Sequence, residues 1–121
     1  MKITVLSCSL DPRSKSRRLA QDAERFLIAR GVEVRFVDCR SLGLPDFDHA
    51  ACYESPAVRQ LTDDLAWADG IVLAMPIYNW GGNSVAKRVA EATVPTWRAR
   101  DFYVSLGFEE TAVSVKRRLG A

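Results

Sequence analysis

The segment KITVLSCSLDPRSKSRRLA, residues 2–20, passes through three textures in succession. Its opening, Lys2–Ser7, is apolar and β-branched without polar alternation, which predicts a strand covered on both faces. From Ser16 the apolar residues Leu19, Ala20, Ala23, Phe26 and Leu27 recur at helical spacing, and Gly31 supplies a stop. Between them lies a polar junction with Ser7, Cys8, Ser9, Pro12, Arg13, Ser14 and Ser16. The segment therefore predicts a strand feeding a helix. Its junction admits three readings: an anion cradle, a nucleophile loop built on Cys8, or a plain polar connection.

The alternation continues down the chain. Val32, Val34 and Phe36 alternate with Glu33 and Arg35, which predicts a strand at or near a sheet edge. Residues 40–54 form a loop with Gly43, Pro45 and two aspartates. Ser55 and Pro56 then open a helix whose buried stripe is Val58, Leu61, Leu65 and Ala68. Asp69 and Gly70 end it, and 71–75 is the most hydrophobic strand candidate. A polar turn at 79–83 leads back into helical spacing at Val85, Ala86, Val89 and Ala90. This alternation predicts an α/β fold with parallel strands and helices on both faces. In such sheets ligands sit beyond the C-terminal ends of the strands. The loops after Leu6 and after Met75 are both expected there.

Bulk properties narrow the field. With 121 residues, 48% hydrophobic and 26% charged, the chain reads as one globular domain, 1–121, with a real core. A net charge of +2 with scattered basic residues gives no argument for nucleic acid. The N-terminal apolar run is strand-length and does not read as a signal peptide, and no run suggests a membrane span. Cys8, Cys39 and Cys52 form an odd set without CxxC spacing, which predicts free thiols, no metal site and a cytoplasmic setting. The lone histidine, His49, reads as a solvated loop residue and not as a base.

At the junction, a helix beginning near residues 14–16 aims unpaired backbone N–H groups and about +0.5 of dipole charge at the preceding loop. Hydroxyls of Ser9, Ser14 and Ser16 would complete a cradle for a phosphate dianion, with Arg13 or Arg17 at the rim. The plainer reading makes Ser14 or Ser16 a simple N-cap. There is no GxGxxG after the first strand and no GxxxxGK[ST]. Cys8 followed by a basic, serine-rich loop resembles the low-molecular-weight tyrosine phosphatases. Those place five residues between cysteine and arginine, whereas four separate Cys8 from Arg13. No later Asp-Pro pair offers that family's general acid, and Cys8 is expected to pack in the core.

The second loop is PIYNWGGNSVAK, residues 76–87. With Ser14-Lys15-Ser16-Arg17-Arg18-Leu19 it resembles the flavodoxin-like NAD(P)H-dependent FMN reductases, over about residues 1–95. That family has a Ser-x-Ser-x-x-Leu first loop, a Pro-x-Tyr-Asn segment after the third strand and a lysine in the next helix. The resemblance implies a three-layer αβα sandwich with a parallel sheet of about four strands, order 2-1-3-4. It implies noncovalent FMN, NAD(P)H as co-substrate, and a flavin or small quinone-like acceptor. Ser9, Arg13, Ser14 and Ser16 would serve the phosphate; Pro76, Tyr78, Asn79, Trp80 and Gly81 would serve the ring, with Gly107 on its far side. Hydride transfer to flavin demands no acid or base, so no catalytic side chain is assigned.

Departures concentrate near the C-terminus. Gly81-Gly82 stands where the family often has serine, and residues 96–121 are atypical, as in a truncated or recombined chain. Phe102, Tyr103 and Val104 suit a short fourth strand, and Ala112, Val115 and Leu119 suit a last helix. No fifth strand remains, so a homodimer is expected to cover the open sheet edge. An incomplete, non-catalytic flavodoxin-like scaffold is the rival to the reductase, with a Cys8 hydrolase third.

Overall fold

A computed structural model describes residues 1–48, 50–93, 108–110 and 115–117. Three parallel strands form the sheet: β1 (Lys2–Ser7), β2 (Glu33–Asp38) and β3 (Gly70–Ala74), in the order β2-β1-β3. Helix α1 (Lys15–Ile28) joins the first two strands, and the short α2 (Cys39–Leu42), a 3-10 turn (Ala51–Glu54) and α3 (Pro56–Trp67) lead to β3. A two-residue hairpin, β4 (Ile77–Tyr78) and β5 (Gly81–Gly82), precedes α4 (Ser84–Thr93). This matches the first three positions of the expected strand order. The expected fourth strand, Phe102 to Val104, lies outside the described residues, as does His49.

The unbroken apolar run makes β1 central. Leu6 and Cys8 join Leu61 and Leu65 of α3 and Val85 and Val89 of α4 in one core cluster. Val5 joins Ala20 of α1 and Ala74 in a second. Successive strand residues face opposite sides, so each half of β1 needs its own helical cover. The alternating residues of β2 suit a strand with one neighbour, and β2 pairs only with β1 among the described residues. Thr4 is buried without penalty because its hydroxyl donates to the Asp64 carbonyl at 2.7 Å.

The helix stripes vary in how far they follow the sequence pattern. Val58, Leu61, Leu65 and Ala68 are all buried. On α1 only Ala20 is buried, while Leu19 and Phe26 stay exposed. The Arg30 guanidinium covers the Phe26 ring at 3.4 Å from its centre. Ser55 holds the N-cap position of α3 but its hydroxyl makes no cap bond; Pro56 at the first turn starts the helix. At the end of the sheet where β1 begins, Arg35 lies 4.3 Å from the Trp67 ring centre and 3.1 Å from Asp64, tying β2 to α3.

One expected element is replaced. The spacing of Ala112 and Val115 predicts a helix, but Val115–Arg117 is a strand, β7, antiparallel to β6 (Phe108–Glu110). Pairing with Phe108–Glu110 decides the conformation of this three-residue stretch over the helical spacing.

Ser7 and Ala74 are register partners at the ends of β1 and β3. The loops leaving these strands therefore start side by side. Leu61, fully buried under this end of the core, is the simplest check on the packing. Leu61→Ala should lower unfolding free energy by about 2–5 kcal/mol, measured by urea denaturation, with little change in far-UV dichroism.

Candidate functional site

The first loop is built from short-range bonds. Cys8 N–H donates to the Ala74 carbonyl at 2.9 Å, the last rung between β1 and β3. Ser9 is buried, and its Oγ accepts from Asp11 N–H at 3.1 Å. Asp11 Oδ1 then accepts from Arg13 N–H at 2.9 Å, and the Asp11 carbonyl from Ser14 N–H at 3.1 Å. These are turn-forming side-chain bonds of the Asx and Ser/Thr type. Ser14 caps α1, accepting from Arg17 N–H at 3.0 Å, and its Oγ lies 3.3 Å from Ser16 Oγ. The serines therefore divide their work: Ser9 is turned inward to hold the loop, and Ser14 and Ser16 sit together at the helix start.

The two candidate arginines differ as well. Arg13 is exposed. Arg17 is drawn away from the rim: its Nη1 lies 2.7 Å from Asp38 Oδ2, with both side chains mostly covered. Asp38 in turn caps α2 through Oδ1, accepting from Arg40 N–H at 3.1 Å. Ser7 Oγ, at the strand end where this loop leaves, is buried without a hydrogen-bond partner among the described residues.

The second loop turns on two residues with left-handed backbone, Asn79 at φ 49° and Trp80 at φ 65°. Positive φ at both central residues is what a tight two-residue hairpin requires. Asparagine adopts it readily, whereas a bulky residue there is strained. The Trp80 side chain is left fully exposed. Gly82 follows where the hairpin folds back on the end of β3: an added Cβ would lie 2.7 Å from Met75 Sδ. A side chain at Gly82 would make Met75 shift, whereas one at Gly81 would meet the Tyr78 carbonyl at ordinary contact distance, 3.9 Å.

Asn83 is the residue whose importance the sequence conceals. Its Oδ1 accepts from Ala86 N–H at 3.1 Å, capping α4, and its Nδ2 donates to the Cys8 carbonyl at 2.8 Å. An Asn just ahead of an apolar helical run signals an N-cap. Nothing in the local pattern signals the second bond, which spans 75 residues.

Together the loops line an open cleft of about 470 Å³, within the usual range for small-molecule sites. Ser14, Lys15, Ser16 and Leu19 form one side, and Met75, Pro76 and Tyr78 the other. Of the expected site residues, Ser14, Ser16, Pro76 and Tyr78 are brought together there. Ser9, Arg13, Asn79, Trp80 and Gly81 lie on the flanking loops without lining the cleft, and Gly107 is outside the described residues. Chemically the cleft pairs hydroxyls and the first two amides of α1 with an apolar, aromatic wall. The amides of Lys15 and Ser16 have no partner within the helix, by geometry. Such a site suits an anion joined to a flat apolar group. Among the described residues no cluster of His, Cys, Asp or Glu could hold a metal, and no helix is long and apolar enough to cross a membrane.

Cys8 does not face the cleft group. Its side chain is sealed in the cluster with Leu6 and Leu61. The Cys39 thiol hydrogen-bonds to it, which draws the Cys8 pKa down while burial opposes the shift. The same bond, then burial and the neighbouring Asp38 charge, push the Cys39 thiol far up. A sulfur so placed serves packing and not nucleophilic attack.

The layered parallel sheet, with a cleft beyond its C-terminal strand ends, defines a flavodoxin-like α/β protein. Solved structures agree at the level of fold. The apo form of an NADH:FMN oxidoreductase, EMOB, superposes with a TM-score of 0.61 at 23% identity, covering 75% of this chain and 49% of that one. Smu.1420 from Streptococcus mutans UA159 superposes with 0.66 at 16% identity, covering 98% and 62%. Residues 1–103 match the NADPH-dependent FMN reductase family, and the chain belongs to it. A curated relative, the NADPH-dependent FMN reductase ArsH of Rhizobium meliloti (strain 1021), is 39% identical over 75 residues, 62% of this chain. This chain spans 30% of that relative's length.

Burial of all three cysteines has a direct chemical readout. In the native protein Ellman's reagent should titrate no thiol promptly, and all three should react after denaturation in guanidinium. Fast native labelling of Cys8 would contradict its packing role.

Proposed function

We propose that this chain binds FMN noncovalently in the cleft and uses NAD(P)H to reduce flavin or a small quinone-like acceptor. The observation that carries the reading is the meeting of the Ser14–Ser16 helix start with the Pro76–Tyr78 wall in one cleft. The phosphate would rest on the amides of Lys15 and Ser16 and the hydroxyls of Ser14 and Ser16, favoured by the α1 dipole. Ser9 contributes by holding the loop's turn, and Arg13, exposed and 4.0 Å from the Asp11 carboxylate, adds positive potential at the rim.

Pro76 and Tyr78 offer flat apolar contact, while backbone groups of Asn79, Trp80 and Gly81 are exposed enough to reach the polar ring edge. Gly107 remains in the proposal on sequence grounds, as a contact on the far face. Held by these residues, FMN would supply two-electron carrier chemistry between NAD(P)H and the small acceptor. The chain's residues bind and orient; none is assigned a proton-transfer role. A homodimer fits the exposed apolar Ile77, Tyr78 and Trp80 beside the cleft. A cytoplasmic setting fits three free, buried thiols.

The purified chain should quench FMN fluorescence on titration and then oxidise NADPH, followed at 340 nm. Ser16→Glu, which sets a carboxylate against the phosphate, should weaken FMN binding by about tenfold or more, equivalent to about 1.4 kcal/mol. A chain that neither quenches FMN nor oxidises NADPH overturns the reading and leaves a flavodoxin-like scaffold.

A further inference from the structure

We propose that Asn83 is a positioning residue that sets the two cleft-forming loops in register, so that the anion cradle and the ring-binding hairpin face one ligand together. The inference rests on the flavin reading for what the cleft holds. The coupling of the loops rests on geometry alone.

Asn83 is 8% exposed and spends both ends of its amide. Oδ1 takes the Ala86 N–H at 3.1 Å, and Nδ2 reaches the Cys8 carbonyl at 2.8 Å. Reversing the amide would set N–H against N–H and oxygen against oxygen, so the network itself fixes the orientation. Among the described residues this is the side-chain hydrogen bond that joins the first loop to the second. The peptide around Cys8 is thereby held on both sides, by Ala74 through its N–H and by Asn83 through its carbonyl. Beyond it, the bonds of Ser9, Asp11 and Ser14 are local and propagate that starting direction to the α1 cap.

On the other side, Asn83 follows Gly82, which packs against Met75, a wall of the cleft. A shift at position 83 therefore moves Met75 and the hairpin relative to Ser14 and Ser16. The two halves of a ligand would then find sites at the wrong separation. Removing the donor also leaves a buried carbonyl unsatisfied.

Two substitutions separate this role from helix capping. Asn83→Asp keeps an acceptor for Ala86 N–H, and a negative charge suits the α4 N-terminus. It replaces the donor to Cys8 by a second acceptor. Its FMN dissociation constant at pH 8 should exceed wild type by about tenfold or more. The ratio should fall as the pH is lowered from 8 to 4 through the titration of the introduced carboxyl, whose protonated form regains a donor; wild type measured in parallel accounts for titration of FMN itself. Asn83→Ser keeps a cap acceptor without the reach to Cys8 and should bind weakly at both pH values.

In flavin-free protein, amide exchange of residues 9–14 should quicken in both variants at pH 8, while the α1 interior stays at wild-type rates. Wild-type FMN affinity in Asn83→Ser, a pH-independent ratio in Asn83→Asp, or unchanged exchange at 9–14 overturns the inference. A wild-type chain that binds no FMN overturns the flavin reading instead, and the exchange rates still decide whether Asn83 couples the loops.

Discussion

Val5 and Leu6 are neighbours on β1, face opposite sides of the sheet and are both sealed from water. A strand with no face left for solvent must be covered twice, and each covered aliphatic side chain is worth about 1.5–3 kcal/mol. From that constraint come α1 on one side and α3 with α4 on the other. Helical crossovers between parallel strands return every strand in the same direction. The loops after β1 and β3 then leave the sheet side by side, at Ser7 and Ala74. The position of the cleft follows from covering β1.

What the cleft can bind depends on how polar groups at its edge are already committed. Four serines near α1 look interchangeable on paper, but their hydrogen bonds separate them. Ser9 is consumed by the turn, Ser14 caps the helix, Ser16 stands beside it, and Ser7 is buried at the strand end. Arg17 is committed to Asp38. The attraction available to an anion thus comes from the helix start and two hydroxyls, with Lys15 the charged residue of the cleft lining. The opposite wall, Met75, Pro76 and Tyr78, is apolar and held by a hairpin that stores strain at Trp80.

The aliphatic stripes of α3 and α4 were legible because burial there repeats with the helix period. On α1 the same period misleads at Leu19 and Phe26. Leu19 lines the cleft and Phe26 is covered by its own Arg30, so both stay outside the core. The Val115–Arg117 strand shows the converse, where helical spacing is overridden by pairing with Phe108–Glu110. In so short a segment, pairing with another strand decides, and that partner is not encoded in the segment itself.

The chain's own pattern determined the βα alternation, the central place of Lys2–Ser7 and the meeting of the 7–16 and 76–83 loops at one end of the sheet. Those features rest on periodicity and chain direction, which are local properties. Only the tertiary structure decided that Cys8 packs inward, that Arg17 turns to Asp38, and that Asn83 reaches back to the Cys8 carbonyl. Each of these is a choice among partners far apart in sequence, settled when the packed layers bring one donor within reach of one acceptor and close off the rest.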